Sequence, residues 1–145
     1  MERIMPETKV QWGILGTANI AKKVGEAIKT AENAELIAVA SRSHKRANQW
    51  AKNNQIDRAY GSYDELLEDP QINVVYIPLP PSMHAEWTIK AADQGKHILC
   101  EKPLSVTVNE AVAMSHACKA NQVQLMDGVM WVHHDRTSKM LELIK

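Results

Sequence analysis

Three short stretches carry residue types able to do chemistry. The first is Cys100-Glu101-Lys102-Pro103. A lysine beside a bound cofactor can donate a hydrogen bond to a substrate hydroxyl or carbonyl. Desolvation lowers its pKa, which suits proton transfer near neutral pH. Glu101 could orient Lys102, and Pro103 fixes the local backbone, with a cis bond open to it. Taken alone, the triplet reads as a charged turn. The second stretch is Gly16-Thr17-Ala18-Asn19-Ile20-Ala21. It fills the nucleotide fingerprint G-x-G-x-x-G/A, with alanine in place of the second glycine, one methyl larger where backbone approaches phosphate. Taken alone, it also fits an ordinary strand-to-helix turn. The third is Ser41-Arg42-Ser43-His44-Lys45-Arg46. Here Arg42 can grip a phosphate in bidentate fashion, aided by the serine hydroxyls and Lys45, and no carboxylate is present to bind a free ribose hydroxyl. That pattern predicts NADP(H) over NAD(H); its bland counterpart is a solvated basic helix start that opposes its own dipole.

These stretches acquire meaning from the elements that must hold them. A strand is expected over 10–15, where Ile14 and Leu15 belong to a short apolar run, as expected of a strand buried on both faces, and Gly16 permits a tight turn after it. Ile20, Val24, Ala27 and Ile28 recur at helical spacing, so a helix is expected over 19–30. Further strands are expected at 35–40, 58–60, 73–77, 97–100 and 123–126. Helices are expected between them. Ser43 caps one to 53, Ser62 with Glu65 makes a capping box before Pro70, and Ser82 caps another to 94, ended by Gly95. Thr107 with Glu110 makes a second capping box, opening a helix to 120 whose Val108, Ala111, Val112 and Ser115 share a face. Asp135 caps a last helix with Met140, Leu143 and Ile144 apolar. Strands alternating with helices predict an α/β fold with a doubly wound parallel sheet. Ligands of such sheets lie beyond the carboxyl ends of the strands, and all three stretches fall there. So do Pro78, Leu79, Pro80 and His84 after the fourth strand. His84 has two readings, a catalytic acid or a helix-start histidine making one hydrogen bond.

Composition narrows the function classes. At 145 residues with 45% hydrophobic and 23% charged, the chain is expected to fold as one domain with its own core. Seventeen basic and seventeen acidic residues cancel, which argues against a nucleic-acid binder and suits a subunit that associates, as a possible homo-oligomer. Cys100 and Cys118 lie far apart in no metal-like spacing and read as buried reduced thiols. His133 and His134 are adjacent, so their side chains diverge if extended, and no metal is expected. No apolar run reaches membrane-spanning length and residues 1–9 lack a signal-peptide core, so no membrane association and a cytoplasmic location are expected. Residues 1–8 are expected to be a loose leader, and Met130 and Trp131 to pack a domain junction.

Read together, the motifs resemble the N-terminal half of the glucose–fructose oxidoreductase / inositol dehydrogenase / MocA family (Gfo/Idh/MocA). The resemblance rests on 12–21, on Ala40-Ser41-Arg42-Ser43, on 76–84, on 95–103 and on Met126-Asp127-Gly128-Val129-Met130-Trp131. Within the family it is similar to the dihydrodiol dehydrogenase / D-xylose 1-dehydrogenase branch. The resemblance implies a Rossmann fold and NADP-dependent oxidation of a sugar or cyclic diol, or the reverse reduction. It implies that 16–21 bind the pyrophosphate, that Ser41 and Arg42 bind the adenosine phosphate, and that 78–84 and Glu101 line the dinucleotide. Lys102 would polarise the reacting oxygen. It also implies a division at residue 130 into an NAD(P)-binding domain and a linker helix, 131–145, opening an α/β substrate domain most of which lies outside this sequence. The alternative function is a catalytically inactive NADP(H)-binding module that needs that second domain. A third reading has the chain associating through apolar surface at Met130, Trp131 and Met140.

Overall fold

The computed structural model describes residues 9–144. The expectation for residues 1–8 lies outside this range. Strands and helices alternate: β1 (Val10–Leu15), α1 (Asn19–Thr30), β2 (Ala34–Ala40), α2 (His44–Asn53), β3 (Arg58–Tyr60) and α3 (Tyr63–Leu67). They continue as β4 (Val74–Ile77), α4 (His84–Asp93), β5 (His97–Cys100), α5 (Val108–Ala120), β6 (Leu125–Asp127) and α6 (Asp135–Leu143). All strand pairs are parallel, in the order β3-β2-β1-β4-β5-β6. This is a doubly wound Rossmann sheet, with the order reversing between β1 and β4.

The apolar runs seen in the sequence are the reason the sheet needs helices on both faces. On one face Leu15, Ile77, Ile98 and Cys100 pack with Leu66 and Leu67 of α3, Trp87 and Ala91 of α4, and Met114 and Cys118 of α5. On the other, Ile14, Val39 and Tyr76 pack with Ala21 and Ile28 of α1 and Ala51 of α2. Ile14 and Leu15, adjacent in sequence, are wholly buried on opposite faces. Each such side chain contributes roughly 1.5–3 kcal/mol on burial.

Several local expectations need correction. The face of α5 formed by Val108, Ala111, Val112 and Ser115 is not the core face; Val108 and Val112 are exposed and α5 buries Met114 and Cys118. The helical spacing read for 19–30 holds: α1 spans Asn19–Thr30, buries Ala21, Gly25 and Ile28, and packs Val24 against the same cluster. Ser82 does not cap α4: Pro81–Met83 form a 3-10 turn, and Met83 stands at the N-cap without a side-chain bond. Ser62 Oγ accepts from Glu65 N, but Glu65 reaches back to Gly61 N instead of closing the box on Ser62. His134, whose Nδ1 accepts from Arg136 N, caps α6 in place of Asp135. Thr107 and Glu110 do form a full capping box. Met130, Trp131 and Met140 are exposed, and α6 has no buried residue.

Candidate functional site

The reversal of strand order opens a crevice beyond the carboxyl ends of β1 and β4, and the candidate residues gather around it. Gly16 ends β1 at φ 108°, and its N–H donates to Ala40 O at 2.8 Å. A Cβ there would lie 3.0 Å from Leu79 Cδ2, so the turns after β1 and β4 meet at a point that only glycine fits easily. α1 then starts from Ala18 with no side-chain cap and no acidic residue in its first turn. By contrast Ser43, Ser62 and Thr107 cap α2, α3 and α5. The first N–H groups of α1, including those of Asn19 and Ile20, therefore keep their capacity for an anion.

At the tip of β2, Ser41 is buried and its N–H donates to Tyr60 O at 3.2 Å. Arg42, Lys45 and Arg46 are exposed, and among the described residues neither Arg42 nor Lys45 forms an ion pair. Thr17 and Ala18 are half-buried between this tip and the turn.

At the end of β5 the geometry differs from the expected one. Glu101 is buried, and its carboxylate does not hold the Lys102 ammonium. Oε2 accepts the Lys102 backbone N–H at 3.0 Å, and Oε1 accepts the hydroxyl of Tyr76 at 2.8 Å. Burial, and then the bond to Glu101, push the Tyr76 hydroxyl well above its ordinary pKa. The Lys102 side chain is exposed, so the desolvated setting expected of it is absent among the described residues. The Lys102–Pro103 bond is cis. The Cys100 thiol is pushed up to about 12, mainly by burial.

At the end of β4, Pro78 and Leu79 are buried and Pro80 is exposed. His84 does not face the crevice: it is 0% exposed. Its Nε2 lies 2.7 Å from Leu79 O, and its Nδ1 lies 3.0 Å from Pro103 O and 3.3 Å from Leu104 O. The 3-10 turn after β4 sets α4 so that this ring bridges the loops after β4 and β5. His84 thus ties the two loops together through their backbone carbonyls. Tyr76 is the site residue that motif reasoning missed. The available signal was a phenol inside the apolar run Val74-Val75-Tyr76-Ile77, since a buried tyrosine hydroxyl needs a partner. Among the described residues no cluster of His, Cys, Asp and Glu could hold a metal ion, and no helix is long and apolar enough to cross a membrane.

Residues 10–129 match the model of a family described as oxidoreductase, NAD-binding Rossmann fold, known as Gfo/Idh/MocA. The chain is 43% identical over 136 residues to D-xylose 1-dehydrogenase (NADP(+)) 2 of Haloferax volcanii, covering 93% of this chain and 42% of that protein. It is 37% identical over 122 residues to trans-1,2-dihydrobenzene-1,2-diol dehydrogenase of Danio rerio, covering 83% and 36%. Among solved structures, a 3-ketoreductase from Actinomadura kijaniata in complex with NADP and TDP-benzene superposes with a TM-score of 0.89 at 30% identity, covering 94% and 42%. The chain thus spans about two-fifths of the length of the relatives it matches.

Proposed function

This chain belongs to the Gfo/Idh/MocA oxidoreductase family, and we propose that it is the cofactor-binding part of an NADP-dependent oxidoreductase acting on a hydroxyl of a sugar, cyclic diol or polyol, or on the corresponding carbonyl. The observation that carries this reading is the uncapped N-terminus of α1 behind Gly16, set beside the exposed Arg42 and Lys45 at the tip of β2. The first suits a pyrophosphate and the second a 2′-phosphate. The site fits NADP(H) on its own chemistry. A side chain at 16 would meet Leu79, and the stretch 41–46 offers cations and hydroxyls but no carboxylate. The NADP named with the xylose dehydrogenase and the 3-ketoreductase supports the same choice.

In this reading the backbone of Gly16, Thr17, Ala18, Asn19 and Ile20 binds the pyrophosphate, and Ser41, Arg42 and Lys45 bind the 2′-phosphate. Pro78, Leu79, Pro80 and Glu101 line the other half of the dinucleotide, with His84 holding their loops in place. The bound cofactor supplies or accepts hydride. Lys102 donates a hydrogen bond to the reacting oxygen and moves its proton. In this reading the NAD(P)-binding domain runs to residue 130, and α6 belongs to the linker that opens a substrate domain.

The test is a fluorescence titration of the purified chain with NADPH and NADH, beside Arg42→Ala. The expected result is a clear preference for NADPH that falls by roughly tenfold or more in Arg42→Ala, the loss expected for a bidentate charge-assisted contact. Equal binding of both cofactors, unchanged in the variant, refutes the reading. The exposure of Lys102 favours a second reading, in which these residues bind NADP(H) and turn nothing over by themselves. NADP-dependent oxidation of D-xylose or a dihydrodiol by the purified chain would exclude it.

A further inference from the structure

We infer that Tyr76 is a positioning residue of this site: its buried hydroxyl fixes the Glu101 carboxylate at the nicotinamide end of the crevice. The inference rests on the cofactor reading above. Tyr76 lies on β4 opposite Leu99 of β5, so Glu101, two residues beyond Leu99, projects to the same face of the sheet. The phenol is 0% exposed and donates to Glu101 Oε1 at 2.8 Å. The other oxygen accepts the Lys102 N–H. Gly128 closes the third side. Its N–H donates to Cys100 O at 2.7 Å, and a Cβ on it would lie 3.2 Å from Cα, Cδ and Oε1 of Glu101.

The chemistry of the pair separates positioning from mere packing. Glu101 is buried, and among the described residues no lysine or arginine pairs with it. A carboxylate so placed depends on hydrogen bonds to hold its orientation. A phenylalanine at 76 would fill the same volume but leave Glu101 Oε1 without its donor, so what the hydroxyl adds is the orientation of Glu101. Burial and the neighbouring carboxylate keep Tyr76 protonated, hence always a donor here.

The experiment compares wild type, Tyr76→Phe, Glu101→Ala and the double variant, with urea unfolding of each. Two ligands are titrated: NADPH, and 2′-phospho-adenosine diphosphate ribose, which lacks the nicotinamide. Tyr76→Phe is expected to weaken NADPH by about tenfold, the scale of one hydrogen bond to a charged group. It should leave the nicotinamide-free ligand within about twofold and add nothing in the Glu101→Ala background. A purely structural role would weaken both ligands alike, or add to Glu101→Ala, and either result overturns the inference. So does NADPH binding by Tyr76→Phe at wild-type strength. If Tyr76→Phe fails to fold, Gly128→Ala displaces Glu101 from the opposite side and must reproduce the same ligand-selective loss, or the inference fails. Wild type that binds neither ligand refutes the cofactor reading itself, an outcome distinct from all of these.

Discussion

Gly16→Ala tests the turn on which the site depends. At φ 108° an alanine is strained by about 1–2 kcal/mol. Its Cβ would also lie 3.0 Å from Leu79 Cδ2. Leu79 is buried, but its methyl can give by a few tenths of an ångström, so the contact adds up to about 1 kcal/mol. Loss of chain entropy in the unfolded state offsets about 0.4–1 kcal/mol. The net destabilisation expected lies between about 0 and 2.6 kcal/mol, about 1.3 kcal/mol at the middle of each term. Urea unfolding followed by circular dichroism measures it, with unchanged m showing that the unfolded state is not the cause. Gly95→Ala is the internal control. Gly95 has φ 70° and nothing within 4 Å of a built Cβ, so it carries the backbone strain without the Leu79 contact. Gly16→Ala should therefore be the costlier of the two. The reasoning fails if Gly16→Ala raises stability, or if Gly95→Ala costs as much, since the Leu79 contact then adds nothing to the strain.

Two further outcomes follow from the buried polar groups. Burial opposes charge on Asp69, but bonds from Gln71 N, the Tyr60 hydroxyl and the Arg58 guanidinium outweigh it and hold its pKa below the ordinary carboxylate value. A depressed folded-state pKa contributes stability above the unfolded value, about 3.9, that is lost as pH falls through the folded one. Urea midpoints measured below about pH 4 should therefore drop in wild type, and Asp69→Asn should cost about 1–3 kcal/mol at neutral pH while flattening that acid limb. A wild-type acid limb unchanged in Asp69→Asn would contradict this. Burial raises the pKa of both thiols, Cys100 to about 12, so neither should react with a disulfide reagent at pH 8 until denaturant is added. Rapid labelling of the folded chain would show that these thiols are not closed off.

Much of the fold was legible because its signals are local. The strand β1 ends where Gly16 allows it, the helix α5 starts at the Thr107–Glu110 box, and α4 stops before Gly95 at φ 70°. Each depends on one residue type at one backbone angle. The failures are also local in cause. Ser82 reads as the cap of α4, but the 3-10 turn over Pro81–Met83 places Met83 at the N-cap instead. On α5 the valines at 108 and 112 mark an apolar stripe as strongly as the buried Met114 and Cys118 do. Which stripe meets the sheet depends on where α5 sits against Ile98 and Cys100, and no periodicity encodes that.

The site divides along the same line. The half proposed to take phosphate is made of consecutive residues, the turn at 16–21 and the tip at 41–46, and that proposal rests on backbone angle, free N–H groups and exposed cations. Its other half is made of contacts between residues far apart in the chain. Tyr76 meets Glu101 across 25 positions, and His84 meets Pro103 across 19. These become neighbours only because β4 lies beside β5, so their partners were hidden until the strand order was known. A histidine beside three prolines then reads as a ligand residue, while the tyrosine reads as plain core. In the structure the ring of His84 meets backbone carbonyls, and the hydroxyl of Tyr76 donates to the carboxylate of Glu101. Where motif residues are exposed, sequence suffices to nominate them. Where they are buried, the question that finds them is which polar atom each one satisfies.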